Sequence, residues 1–197
     1  LRLYDNTLTS IASSDRSQDG NDDPWEFLSY TANYTGEYNV AISTADNTSP
    51  AVVTFHLFSY YHDLQHQVAE MSLVVPSDSP NVIAVGAVPW NAPGSIEAFS
   101  SQGPTSDNRT KPDLVAPDNV RGVTYGAAFA GTSASAPHVA GAAALVKQRF
   151  PSYNSTEIRQ FFRSRAIDLG VAGRDNIYGS GRLNLGFFVP YTLSINS

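Results

Sequence analysis

FAGTSASAPHVAGAAALVKQ, running from Phe129 to Gln148, reads as a serine presented at the start of a buried helix. Gly131 allows a tight entry and Thr132 is placed to cap. Ser133 and Ser135 fall in the first turn, with Pro137 early enough for its missing N–H to matter little. Beyond it Val139, Ala140, Ala142, Ala143, Leu145 and Val146 make a helix apolar on nearly every side, and Gly141 with the alanines permits close approach by neighbours. Such a helix belongs inside a core. A serine at its N-terminus lies where free N–H groups and the helix dipole favour the negative charge that grows on an acyl oxygen under attack. The same small polar residues would equally serve as plain caps of a core helix.

The longer stretch GTSASAPHVAGAAAL resembles the serine-nucleophile motif of the subtilisin-like serine proteases, the subtilases. In that family Gly-Thr-Ser is followed by a proline, then V-x-G and a run of alanines. NVIAVGAV (81–88), FSSQGP (99–104) and KPDLVAP (111–117) precede it in the order in which the family carries similar segments, so the resemblance covers about residues 78–189. It implies that Ser133 is the nucleophile and that the Thr132 and Ser133 backbone N–H groups support the oxyanion. Phe129 matches an aromatic that borders the leaving-group side of the substrate cleft. Asp118 follows Ala116-Pro117 where many subtilases have glycine, which points to a subgroup.

Subtilases use a serine, a histidine and an aspartate, with an oxyanion asparagine, in the chain order Asp, His, Asn, Ser. No HGTH-like or AAGN-like segment, and no aspartate following a buried strand before Thr/Ser-Gly, stands upstream of residue 78. The resemblance therefore implies the C-terminal part of a catalytic domain, whose other catalytic groups come from sequence outside this chain. By itself the chain is expected to be inactive. His138 lies five residues beyond Ser133, on another side of the helix at about 100° per residue. The family histidine at that position is not the base, so His138 is expected to be a structural residue hydrogen-bonded beneath the site.

The remaining composition is that of a folded protein: 197 residues, 42% hydrophobic and 15% charged. A net charge of −6 and no clustering of the 12 basic residues argue against a nucleic-acid surface. Residues 1–197 hold no run of 18 apolar residues to cross a membrane, and the opening LRLYD, read as the interior of a strand, is expected to continue from a longer chain. With no cysteine, disulfides and thiolate metal sites are excluded. Asn-x-Ser/Thr sequons stand at Asn33, Asn47, Asn108 and Asn154, and each would mark a surface loop in a host that glycosylates secreted proteins.

From Leu1 to about Pro76 short alternating runs (LRLYD, WEFLSYTA, YNVAIST, VVTFHLFSYY and a run near 68–75) are separated by turn chemistry at 19–21, 34–36 and 46–50. Strands about ten residues apart predict an antiparallel β-sandwich or jelly roll. The layout resembles the β-sandwich modules of many secreted peptidases, which in some subtilases interrupt the catalytic domain. The acidic loop with Asp15, Asp19, Asp22, Asp23 and Glu26 offers calcium ligands but lacks the spacing of an EF-hand loop, so a solvated hairpin is expected. HDLQH (62–66) has the spacing of a helical zinc motif, yet its flanks alternate as in a strand, which would hold the two histidines roughly 13 Å apart. No cofactor is expected.

NVIAVGAV predicts a parallel strand buried on both faces, KPDLVAP a short strand ended by Pro117, and 152–166 an amphipathic helix capped at Ser155 or Thr156. The expected fold is thus an inserted β-sandwich over 1–77 followed by an α/β segment over 78–197, the nucleophile half of a subtilisin-like parallel-sheet domain. The expected function is that of a secreted, extracellular serine endopeptidase acting on proteins or peptides, with the remaining N-terminal part of the catalytic domain as its partner. The alternative is a non-catalytic protein- or carbohydrate-binding sandwich on a subtilase-derived scaffold.

Overall fold

A computed structural model describes residues 1–17, 21, 23, 25–43, 54–124, 126 and 128–186. Contacts divide the chain into two units, Leu1–Tyr60 and Tyr61–Ser197. The sequence reading set the boundary at 77/78. Residues 69–72 belong with the second unit because they bond to its backbone: Met71 N–H donates to Gly103 O, Ser72 N–H to Gln102 O, and Gln102 N–H to Ala69 O.

In the first unit β1 (Arg2–Tyr4), β2 (Ser10–Ser13) and β3 (Asn39–Ala41) form an antiparallel sheet of order β2-β1-β3. The turn between β1 and β2 is built by Asp5, whose Oδ1 accepts the Thr7 hydroxyl and the Thr7 and Thr9 N–H groups. These bonds, the Thr7 hydroxyl foremost, hold the Asp5 carboxyl below its usual range. No second sheet facing this one lies among the described residues of the unit. WEFLSYTA is irregular, and Trp25 and Phe27 are exposed within it. Asp19 and Asp22 of the acidic loop, the turn at 46–50 and the sequon at Asn47 lie outside the described residues. Of the loop's other acids, Glu26 accepts a bond from the Ser14 hydroxyl.

The second unit is built on β4 (Val85–Pro89) and β5 (Leu114–Asp118), which run parallel with Val85 opposite Leu114 and Pro89 opposite Asp118. As the apolar run predicts, Ala87, Val88, Val115 and Ala116 are fully buried. β5 continues through Pro117 to Asp118 rather than ending at the proline. On its far side Val115 N–H donates to Gly181 O and its carbonyl accepts from Leu183 N–H, so the closing segment lies alongside β5. Gly181 has a φ of 108°, and a Cβ there would lie 2.2 Å from Ile167 O, so only glycine fits that approach.

Helix α1 (Thr132–Arg149) packs on this pair through Val139, Ala142 and Val146, and α2 (Ser155–Arg165) adds Phe162, the six-residue core being completed by Leu114 and Ala116. The α2 cap is Asn154, one residue before the expected Ser155. Asn154 and Glu157 exchange side-chain and backbone bonds in a capping box. Residues 62–66 form neither helix nor strand. The expected strand geometry is therefore absent there, and so is the helix that HDLQH would need to place two ligands on one face.

At the N-terminal end of β4 and β5, Asp113 ties four segments together. Its Oδ2 accepts from Lys111 Nζ (2.7 Å) and Ala84 N–H (3.0 Å), and its Oδ1 from Arg163 (2.7 Å), with Arg174 at 3.5 Å. Burial works against the charge on this carboxyl, but the bonds from Lys111, Arg163 and the Ala84 amide outweigh it and hold the pKa below its ordinary value.

Candidate active site

The sequence delivers its serine to the C-terminal end of the parallel strands, the end where such sheets bind ligands. After β5 the chain runs out and back as a hairpin of β6 (Val120–Arg121) and β7 (Ala128–Phe129), pairing Val120 with Phe129, and then enters α1 through Gly131.

Gly131, not Thr132, is the N-cap, and Thr132 is the first helical residue. Gly131 has φ 110° and ψ 166°, a region open essentially to glycine alone. A Cβ there would meet nothing nearer than 3.6 Å, so the backbone angle imposes the glycine and crowding does not. From this conformation its carbonyl accepts the Ala134 N–H at 2.8 Å and the Ser135 N–H at 3.4 Å. No side chain of α1 caps the first turn, and none of its residues there is acidic. An acid arrives from β5 instead: Asp118, 1% exposed, accepts the Gly131 N–H on Oδ1 at 2.6 Å.

The two serines of the turn differ. Ser135 is fully buried and its hydroxyl donates to Pro117 O at 3.2 Å. Ser133 is exposed, and its hydroxyl has no hydrogen-bond partner among the described residues. The Thr132 and Ser133 N–H groups precede the helical ladder and have no acceptor among the described residues. Pro137 is more consequential than its early position suggests. It lies at the sixth helical position and removes the N–H that would bond the Ser133 carbonyl. Around Ser133 the structure therefore leaves a free hydroxyl, two outward N–H donors at the positive end of an 18-residue helix and a carbonyl without its helical donor.

Of the residues singled out in the sequence, Thr132 and Ser133 share this turn, and Phe129 is half-buried on β7, four residues earlier. His138 is hydrogen-bonded, its Nδ1 lying 2.8 Å from Ala134 O, but it is exposed on α1 and not beneath the site. No histidine or carboxylate bonds the Ser133 hydroxyl among the described residues, nor do three metal-binding side chains gather anywhere among them. The residue whose importance sequence reasoning missed is Asp118. It stood out as a departure from glycine, and the signal available was an acid ending a buried strand just ahead of a helix start that has no acid of its own.

The model of the subtilase family matches residues 10–181. Subtilisin BL of Lederbergia lenta is 40% identical over 117 residues, which is 57% of this chain and 39% of that protein. The chain thus spans well under half the length of the curated relatives it matches, 39% and 28% in two cases. Among solved structures the CspB protease of Clostridium perfringens gives a TM-score of 0.51 at 26% identity, over 61% of this chain and 29% of that one. Sphericase gives 0.50 at 26% identity, over 61% and 45% of the two chains.

Proposed function

The chain belongs to the subtilase family, and on that premise we propose that it is the nucleophile-bearing part of an extracellular serine endopeptidase. Ser133 Oγ attacks a peptide carbonyl. A histidine from outside this chain, oriented by an aspartate, takes the proton and returns it to the leaving amine, and water then hydrolyses the acyl-enzyme. The Thr132 and Ser133 N–H groups hold the oxyanion together with an asparagine side chain from outside, and Phe129 borders the leaving-group side of a protein or peptide substrate. The observation that carries the reading is the contrast between an exposed, unbonded Ser133 beside two unoccupied N–H donors and a buried, bonded Ser135.

A second observation supports the rest of the catalytic domain as partner. Ala87, on the edge of β4 away from β5, is satisfied by the Ser100 hydroxyl and the Glu97 N–H. By the period-two alternation Val85 faces the same way, and its N–H and carbonyl have no acceptor or donor among the described residues. A further parallel strand would pair there. On this reading the antiparallel sheet of the first unit belongs to an inserted β-sandwich module, and the reaction uses no metal.

The test is fluorophosphonate labelling and casein hydrolysis by the full-length protein. Both should vanish in Ser133→Ala and survive in Ser135→Ala. Undiminished labelling of Ser133→Ala would overturn the assignment.

A further inference from the structure

We propose that Asp118 is a positioning residue for the nucleophile, holding the Gly131 amide so that Ser133 and its two neighbouring N–H donors keep a fixed aim. The proposal rests on the reading of Ser133 as nucleophile.

Three observations lead to it. Gly131 is the residue of greatest backbone freedom at the point where the chain changes from strand to helix, and it stands two residues before Ser133. An untethered glycine there would let the first turn of α1 fray, because the first N–H groups of a helix have no partners of their own. The tether comes from the last two residues of β5. Asp118 takes the Gly131 N–H at 2.6 Å and Pro117 O takes the Ser135 hydroxyl at 3.2 Å. These two bonds bracket Ser133, one two residues before it and one two residues after.

The jaw is also rigid. Asp118 is 1% exposed, and β5 is held by β4 on one side and by the bonds of Val115 to Gly181 and Leu183 on the other. A bond from an amide to a carboxylate is shorter and stronger than one to a neutral acceptor. By occupying the Gly131 N–H, Asp118 assigns the first donor to structure and leaves those of Thr132 and Ser133 for the oxyanion.

The tether draws on the fixed position of the acceptor oxygen and not on its charge. The useful element is thus the fixed acceptor. Asparagine, which keeps an oxygen in place, should preserve function, whereas alanine should lose it.

The experiment uses the full-length protein, with active sites counted by fluorophosphonate titration so that unfolded molecules do not enter the rate. Asp118→Ala should lower kcat per titrated site by about 10²-fold, the scale for a displaced catalytic group, with KM little changed. Asp118→Asn should restore most of that rate. An unchanged kcat per site in Asp118→Ala, or an equal loss in both variants, would overturn the positioning role. If Asp118→Ala does not fold, the Gly131 amide resonance in ¹⁵N-glycine-labelled Asp118→Asn decides. An upfield proton shift confined to Gly131 and its neighbours supports the bond, and an unmoved resonance refutes it. Ser133→Ala separates the two ideas: if it is still labelled, the peptidase reading fails whatever Asp118 does. If labelling needs Ser133 but Asp118 variants keep their rate, only the positioning role fails.

Discussion

Replacing Asp113 by alanine should be among the most damaging single changes outside the serine turn. The carboxylate is 1% exposed and its partner Lys111 only 4% exposed, so removal leaves an ammonium buried without a counter-charge and strands the Ala84 N–H. Breaking a buried pair from one side costs about 3–5 kcal/mol. At about 2–4 °C per kcal/mol for a chain of this size, the melting temperature should fall by roughly 6–20 °C. Arg163 and Arg174 soften the loss, because their side chains are 31% and 34% exposed and can turn to water. Calorimetry of the full-length protein at neutral pH, where native Asp113 is ionised, measures the shift. Its pH dependence follows from the sign: the folded pKa is depressed, so the contribution is full above the unfolded value of about 3.9 and disappears as pH falls through the lower folded value. Asp113→Asn should accordingly flatten the acid limb of the stability curve. Exchanging both members of the pair, Lys111→Met with Asp113→Leu, should recover much of the lost stability. A melting temperature for Asp113→Ala within about 2 °C of wild type would refute the reasoning.

Gly131→Ala should cost about 1–3 kcal/mol from backbone strain alone, since its Cβ has room, and should slow Ser133 labelling; an unchanged melting temperature would count against the assigned conformation. Asn154→Ala should cost about 1 kcal/mol, lowering the melting temperature by roughly 2–4 °C, through loss of the α2 capping box. This chain without further polypeptide should show no casein turnover above background, because losing the base costs on the order of 10⁶-fold in an enzyme of this kind. Turnover that Ser133→Ala abolishes would show a base within the chain.

Much of the second unit was legible in the sequence because its signals are strong and local. The apolar run at NVIAVGAV became β4, and the alanine-rich stretch became α1. The errors were at boundaries, where several neighbouring residues can do the same job. Thr132, Ser155 and Thr156 are all good caps by type, yet Gly131 and Asn154 take those positions. Gly131 wins because the chain arrives from a hairpin at an angle that needs positive φ, and Asn154 wins because Glu157 stands three residues ahead to complete the box. The first unit was less legible. Short alternating runs such as LRLYD do pair as strands, but a strand of three or four residues carries too few side chains to tell one sheet from two facing sheets.

The site was legible to the extent that its chemistry lies in contiguous residues. Gly131, Thr132 and Ser133 are adjacent, and the helix that orients them is encoded in the twenty residues from Phe129 to Gln148. Helix position does not rank Ser133 against Ser135, since both sit in the first turn; only the resemblance of GTSASAPH to a family motif singled out Ser133. The structure separates them through a residue 18 positions away: Pro117 O accepts the Ser135 hydroxyl and leaves Ser133 unbonded. Asp118 acts across 13 positions in the same manner. Both contacts come from the end of one strand, and their spacing along the chain is set by the length of the β6–β7 hairpin, which no periodicity records. A change in that hairpin would therefore disturb the serine without touching it. The bonds to Gly131 and Ser135 are the part of this site that depends on the fold, while the exposure of Ser133 beside two free N–H groups depends on local sequence.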